Sequence, residues 1–244
     1  MLIPTNVFGR DSMTTHPYKK RTLRRPNTRD SHHFSLSRKT DAYRIELEQY
    51  VAEQYLVSHQ ARLTTFLPHL LSMSLRGEIQ AVAGLKPASS GQLFLEQYLD
   101  QNIDQTIAGA INRPTDRSSI IEIGNLVSTQ AGGSQLLFII LAFAVKEAGF
   151  RWLAFTATPQ VKKLLNRLSA TPLFLANADA DRLGKTAEAW GEYYQKKPNV
   201  MAIDLNEALR NVSENDTINY MSNLYKDDIK NIAAQLKKHS IQRF

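Results

Sequence analysis

Ten consecutive apolar residues, Leu136–Val145 (LLFIILAFAV), follow a β-branched run and a glycine pair, and this arrangement constrains the fold more than any other feature of the chain. A helix that is apolar on every side has to be covered from several directions. As a helix, ten residues extend only about 15 Å, half the thickness of a hydrocarbon core, so the run predicts a buried helix and not a membrane span. Just ahead of it, Ser119–Val127 (SIIEIGNLV) has the β-branched content of a strand. Gly132-Gly133 then opens a helix over Ser134–Ala148, and Gly149 supplies the usual C-terminal stop. Trp152–Thr156 reads as the next strand. Thr158-Pro159 fits an N-cap with proline at the first helical position, and the helix runs to about Leu168.

The rest of the pattern extends this core in both directions. Tyr43, Ile45, Leu47, Tyr50, Val51, Tyr55 and Leu56 recur at helical spacing over 41–58. Leu70–Leu75 and Ile79–Leu85 flank Arg76-Gly77 as a β-hairpin. Leu93–Leu99 reads as a helix, and the polar stretch 108–118 as loop or strand edge. Leu173–Ala176 and Val200–Leu205 are further strands, followed by helical patterns near Asn206–Val212 and Tyr220–Lys238. Alternation of strand and helix through the middle predicts an α/β (α+β) fold, a mixed central sheet flanked by helices.

Composition narrows the chemistry. The chain has no cysteine, so disulfides, thiolate metal sites and cysteine nucleophiles are excluded. The six histidines contain no i, i+4 pair, and no metal site is expected. The formal charge of +7 sits wholly in 1–40, which hold nine cations and two anions, while 41–244 balance. We therefore expect a basic, disordered tail over 1–40, a globular domain over 41–212 and a helical extension over 213–244. Such a tail offers weak contact with anionic lipid or nucleic acid through charge alone. Met1–Phe8 lacks the apolar core of a secretory signal, so the expected location is the cytoplasm.

A strand, a glycine turn and a helix start together make a place for phosphate. The first amides of a helix lack internal partners, and the aligned peptide dipoles put positive charge there. The loop Ser128–Gly133 is neither G-x-G-x-x-G nor G-x-x-x-x-G-K-[ST], which speaks against dinucleotide and P-loop sites. Gln130-Ala131-Gly132-Gly133-Ser134-Gln135 resembles instead the [QR]-x-x-G-x-[GA] loop of the acyl-CoA N-acyltransferase (GNAT) superfamily. Its first and fourth positions match, and Gln135 stands where that pattern has a small residue. Four ordered blocks, FLEQYLD (94–100), IIEIGNLVS (120–128), RWLAFTAT (151–158) and WGEYYQKKPNV (190–200), resemble the bacterial thermostable hemolysin family. That family is similar to acyl-homoserine-lactone synthases and is read as a distant GNAT branch.

The resemblance implies acyl transfer from acyl-CoA or acetyl-CoA, or from an acyl carrier protein, to a small-molecule amine. It implies a coenzyme site at Leu126, Val127, Ser128, Gln130, Ala131, Gly132, Gly133, Ser134 and Gln135. Asn125 and Thr156, at the strand ends, and Glu96, in a patterned block, are the expected substrate contacts. Glu122 projects opposite to Ile121 and Ile123; in a cleft, desolvation would fit it to accept a proton from the amine. Tyr194 is the candidate acid for the departing thiolate, against the alternative of packing for both Tyr193 and Tyr194. The nucleophile would belong to the acceptor, which accords with the absent cysteine. Two alternatives stand beside this reading. One is a membrane-active protein, as the family name suggests, and the other a coenzyme-binding module that has lost catalysis.

Overall fold

In the computed structural model, residues 31–129, 132–211 and 215–241 are described. Seven strands form one sheet: β1 His33–Arg38, β2 His69–Leu75, β3 Glu78–Pro87, β4 Ile120–Ser128, β5 Trp152–Ala157, β6 Leu173–Asn177 and β7 Asn199–Asp204. Their spatial order is β1-β2-β3-β4-β5-β7-β6. Every neighbouring pair is antiparallel except β4–β5, which is parallel. A parallel pair needs a long crossover, and here it is a helix over Gly133–Glu147.

Among the described residues seven α-helices cover the sheet: α1 Arg44–His59, α2 Ile103–Ile111, α3 Gly133–Glu147, α4 Pro159–Arg167, α5 Leu205–Asn211, α6 Asp216–Leu224 and α7 Lys226–Ile241. The apolar run is α3. It is buried against Ile121, Ile123, Leu153, Phe155 and Ile203 of the sheet on one side and Ile229, Ile232 and Leu236 of α7 on another. Gly149, at φ 99°, ends it with the left-handed turn that glycine adopts without strain, and the Phe150 N–H closes back on the Val145 carbonyl. Alternation along β4 sends Ile120 to the opposite face, among Leu93, Leu95, Ile103 and Ile107. Next to that cluster, α1 packs Leu47, Val51 and Tyr55 over Leu70 and Val82.

Three expectations need correction. The sheet begins at His33, inside the segment read as tail: Phe34 and Leu36 alternate inward on β1 and are buried, so apolar pattern overrides the basic composition around them. Stretch 108–118 is not all loop, because α2 runs to Ile111, anchored by Ile103 and Ile107 one turn apart. The last helical pattern is two helices. They break at Tyr225, whose buried ring meets Phe34 edge-on at 5.1 Å. The segment read as a C-terminal extension thus closes the core over α3.

Candidate active site

The parallel pair separates partway along. Ile120–Ile123 pair with Trp152–Phe155, and there the β4–β5 ladder stops, although β4 continues to Ser128. The cause is a bulge. The β3–β4 register slips between Val82↔Val127 and Gly84↔Gly124, so β4 carries one residue too many. Within the surplus stretch Asn125 has a left-handed backbone, at φ 49°. Its side-chain Oδ1 accepts the Leu67 N–H at 3.0 Å, tying the 61–68 segment to the bulge. Gly84 makes room, since a Cβ there would lie 2.8 Å from that same oxygen. The strands therefore splay from Gly124 onward, and the N-termini of α3 and α4 stand at their carboxyl ends.

Glu122 lies two residues before the splay, 3% exposed. Its Oε2 accepts the Phe94 N–H at 2.9 Å and its Oε1 the Leu95 N–H at 2.8 Å. Desolvation raises its pKa to about 7, against the lowering effect of those two amides and of Lys86, its cross-strand neighbour. A carboxyl in this state exchanges a proton near neutrality, which suits a general base.

Two cavities meet at Glu122. The larger is a cleft of about 1190 Å³ bounded by the 62–69, 86–97 and 186–190 segments. The smaller, about 90 Å³, passes through the splay itself. Its walls come from both faces of the sheet, Phe138 and Val161 from one, Tyr55, Tyr98 and Tyr193 from the other. Phe94, Glu122, Gly124, Asn125 and Trp190 border both spaces.

The predicted residues divide accordingly. Glu122, Asn125, Leu126 and Thr156 border the smaller cavity. Asn125, however, already spends its oxygen on Leu67. Val127 and Ser128 pair back onto β3. Gly132 stands at the N-cap of α3 with φ 82°, and Gly133, Ser134 and Gln135 form the first turn. Gly132 has no side chain with which to cap that turn, while the Gln135 and Leu136 N–H groups reach the Gly132 carbonyl. Gln130 and Ala131 lie outside the described residues.

Two assignments change. Glu96 is buried, 6% exposed, and borders neither cavity. Its oxygens accept the Leu93 and Ile103 N–H groups and both terminal nitrogens of Arg117, at 2.5 and 2.9 Å. Despite desolvation, those bonds hold its carboxyl below the ordinary range. It fixes the turn that presents Phe94 and Leu95 to Glu122, a supporting role. Tyr194 does not border the smaller cavity; Tyr98 does, and the two hydroxyls share a 2.6 Å hydrogen bond. Burial pushes Tyr194 up to about 12 and Tyr98 higher, so both phenols stay protonated at neutral pH.

Three features escaped the sequence reading. Thr158 precedes Pro159 as expected but makes no cap bond; it is buried and borders the smaller cavity. His59 borders it as well, with Nδ1 unpartnered among the described residues and burial lowering its pKa. The larger cleft is edged by Lys39, Arg62 and Lys86. Lys86 could have been found only from the β3–β4 register, which a single sequence does not reveal.

Residues 37–209 match the sequence family described as thermostable hemolysin. No curated protein matches the chain. Among solved structures, the acyl-homoserine lactone synthase LasI superposes with a TM-score of 0.50 at 10% identity, over 72% of this chain and 91% of that one. The CoA-dependent acyl-homoserine lactone synthase BjaI, solved with SAM and isopentyl-CoA, gives 0.52 at 8% identity, over 85% of this chain and all of its own. At such identities the likeness is one of fold.

Proposed function

The chain belongs to the thermostable hemolysin family, and from that premise we propose that it transfers an acyl group from an acyl-CoA thioester to the nitrogen of a small amine. The observation that carries this reading is Glu122, held at the mouth of a strand splay, with its carboxyl raised to about 7 and a cavity on either side. In this scheme the thioester lies in the splay and the acceptor arrives through the larger cleft. The amine nitrogen attacks the thioester carbon and yields its proton to Glu122. The new C–N bond forms, the C–S bond breaks, and the CoA sulfur leaves as a thiolate that takes up one proton. In this scheme the Tyr98 hydroxyl, protonated, at the border of the same cavity and hydrogen-bonded to Tyr194, is the acid for that sulfur.

The splay itself supports the coenzyme assignment. Its two strand ends lead to two helix N-termini, where oriented amides favour anionic groups. The hydroxyl of Thr158 makes no hydrogen bond among the described residues and faces the smaller cavity, which leaves it available to a bound carbonyl or amide. Among the described residues no helix is long and apolar enough to cross a membrane.

The test uses the missing cysteine. A thiol reagent reports CoA release with no background from the protein. Acyl-CoAs from acetyl to dodecanoyl should raise the melting temperature, by the equivalent of about 2.7 kcal/mol at a hundredfold excess over Kd. Mixed with an acceptor pool, one of them should release thiol, and Glu122→Gln should slow that release by roughly 10²- to 10⁴-fold. Neither stabilisation nor release across the series would sink the proposal.

A further inference from the structure

The larger cleft carries a charge pattern that the chain as a whole does not. Residues 41–244 balance their charges, yet the charged side chains edging this cleft are Lys39, Arg62 and Lys86, with the carboxyl of Glu122 at its floor. Among the described residues none of the three cations forms an ion pair, although six other pairs do occur. Lys86 gives one N–H to the Gln92 carbonyl, and an ammonium has two more to offer.

The placement of Lys86 says which part of an acceptor it would meet. Lys86 and Glu122 are opposed across the β3–β4 ladder, so their Cβ atoms stand about 5 Å apart on one face. A ligand that gives its amine to Glu122 therefore has Lys86 within reach of a group one or two bonds away. An α-amino acid has that geometry, its carboxylate one carbon from its amine. The start of α3 lies at Gly133, beyond the end of β4 at Ser128, and no residue of its first turn borders the larger cleft that Lys86 edges.

We propose that the acceptor is an α-amino acid with a neutral or acidic side chain, its carboxylate held by Lys86 in the field of Lys39 and Arg62, its amine delivered to Glu122. This rests on the acyl-transfer reading of the splay. The product is an N-acyl amino acid that keeps its carboxylate. One C–N bond forms and one C–S bond breaks, with one proton passing from nitrogen to Glu122 and one taken up by the CoA sulfur. A cationic side chain, or a carboxylate masked as an amide, would lose the cleft's attraction.

The experiment has a binding arm and a turnover arm, both on the full chain. In the first, N-decanoyl-leucine and N-decanoyl-leucinamide are titrated calorimetrically, beside decanoyl-CoA. The acid should bind at least tenfold tighter than the amide. Lys86→Met and Arg62→Gln should each remove that preference while leaving decanoyl-CoA affinity within about twofold. In the second, leucine and glutamate should exceed leucinamide and arginine at least tenfold in kcat/KM for thiol release. Because Lys86 also faces Glu122, Lys86→Met should move the pH–rate inflection upward, which a loss of packing alone would not do. Equal handling of acid and amide with decanoyl-CoA still bound would overturn the amino-acid assignment and leave acyl transfer standing. Failure of decanoyl-CoA and both decanoyl amides to bind would overturn both.

Discussion

Glu122 should make the fold less stable as pH rises through neutrality, by an amount the structure sets. Its carboxyl moves from an ordinary 4.5 to about 7 on folding, chiefly by desolvation. A raised folded pKa means that the native state keeps a proton which the unfolded chain has already released. The contribution is therefore fully present below about pH 4.5 and lost as pH climbs through 7. At about 1.4 kcal/mol for each pH unit, the loss is about 3 kcal/mol, roughly 6–12 °C in Tm for a chain of this size. Burial lowers the pKa of His32 and His59, which adds stability with rising pH in an overlapping range. The informative quantity is thus the difference between wild type and Glu122→Gln, in which the histidine contributions cancel. Urea unfolding of both proteins at half-unit steps from pH 4.5 to 8.5 should give a difference that drifts against the wild type by about 3 kcal/mol, steepest between pH 5 and 7. A flat difference would refute the claim that Glu122 is ionised at a desolvation cost, and with it the argument for a poised base.

The remaining predictions concern the parts around it. Gly84→Ala should cost about 1–3 kcal/mol in urea unfolding, because its Cβ would press on the Asn125 oxygen and on Leu67. Arg117→Met should cost about 3 kcal/mol, since it leaves the buried Glu96 carboxylate without its cation, and its thiol-release rate should fall as the 93–95 turn loosens. Thr158→Val should change stability by less than about 0.5 kcal/mol in the same assay, whereas a working N-cap would cost about 1 kcal/mol; its KM for acyl-CoA should rise several-fold.

Much of the fold was legible because it rests on local signals. The apolar run specified α3, the Arg76-Gly77 turn specified the hairpin, and Ile121-Glu122-Ile123 specified the face on which the carboxylate emerges. What stayed hidden depends on pairing between distant segments. Glu96 looked like a pocket acid until Arg117 proved to be its partner, 21 residues away. Thr158 looked like a cap because capping is the usual use of threonine before proline, and tertiary packing turned its hydroxyl elsewhere. The splay could not be foreseen, since it follows from one surplus residue in a register that only the folded sheet defines. Tyr98 and Tyr194 both stood in patterned blocks, and which of them borders the cavity depends on the path of residues 180–196.

The truncated ladder between β4 and β5 has a mechanical consequence. Only four residues on each strand stitch β1–β4 to β5–β7, so the sheet is two panels on a short seam. An occupant lying along the open edges past Ile123 and Phe155 would act as a spline between them, and its arrival should slow amide hydrogen exchange in both panels at once, well beyond the residues it touches.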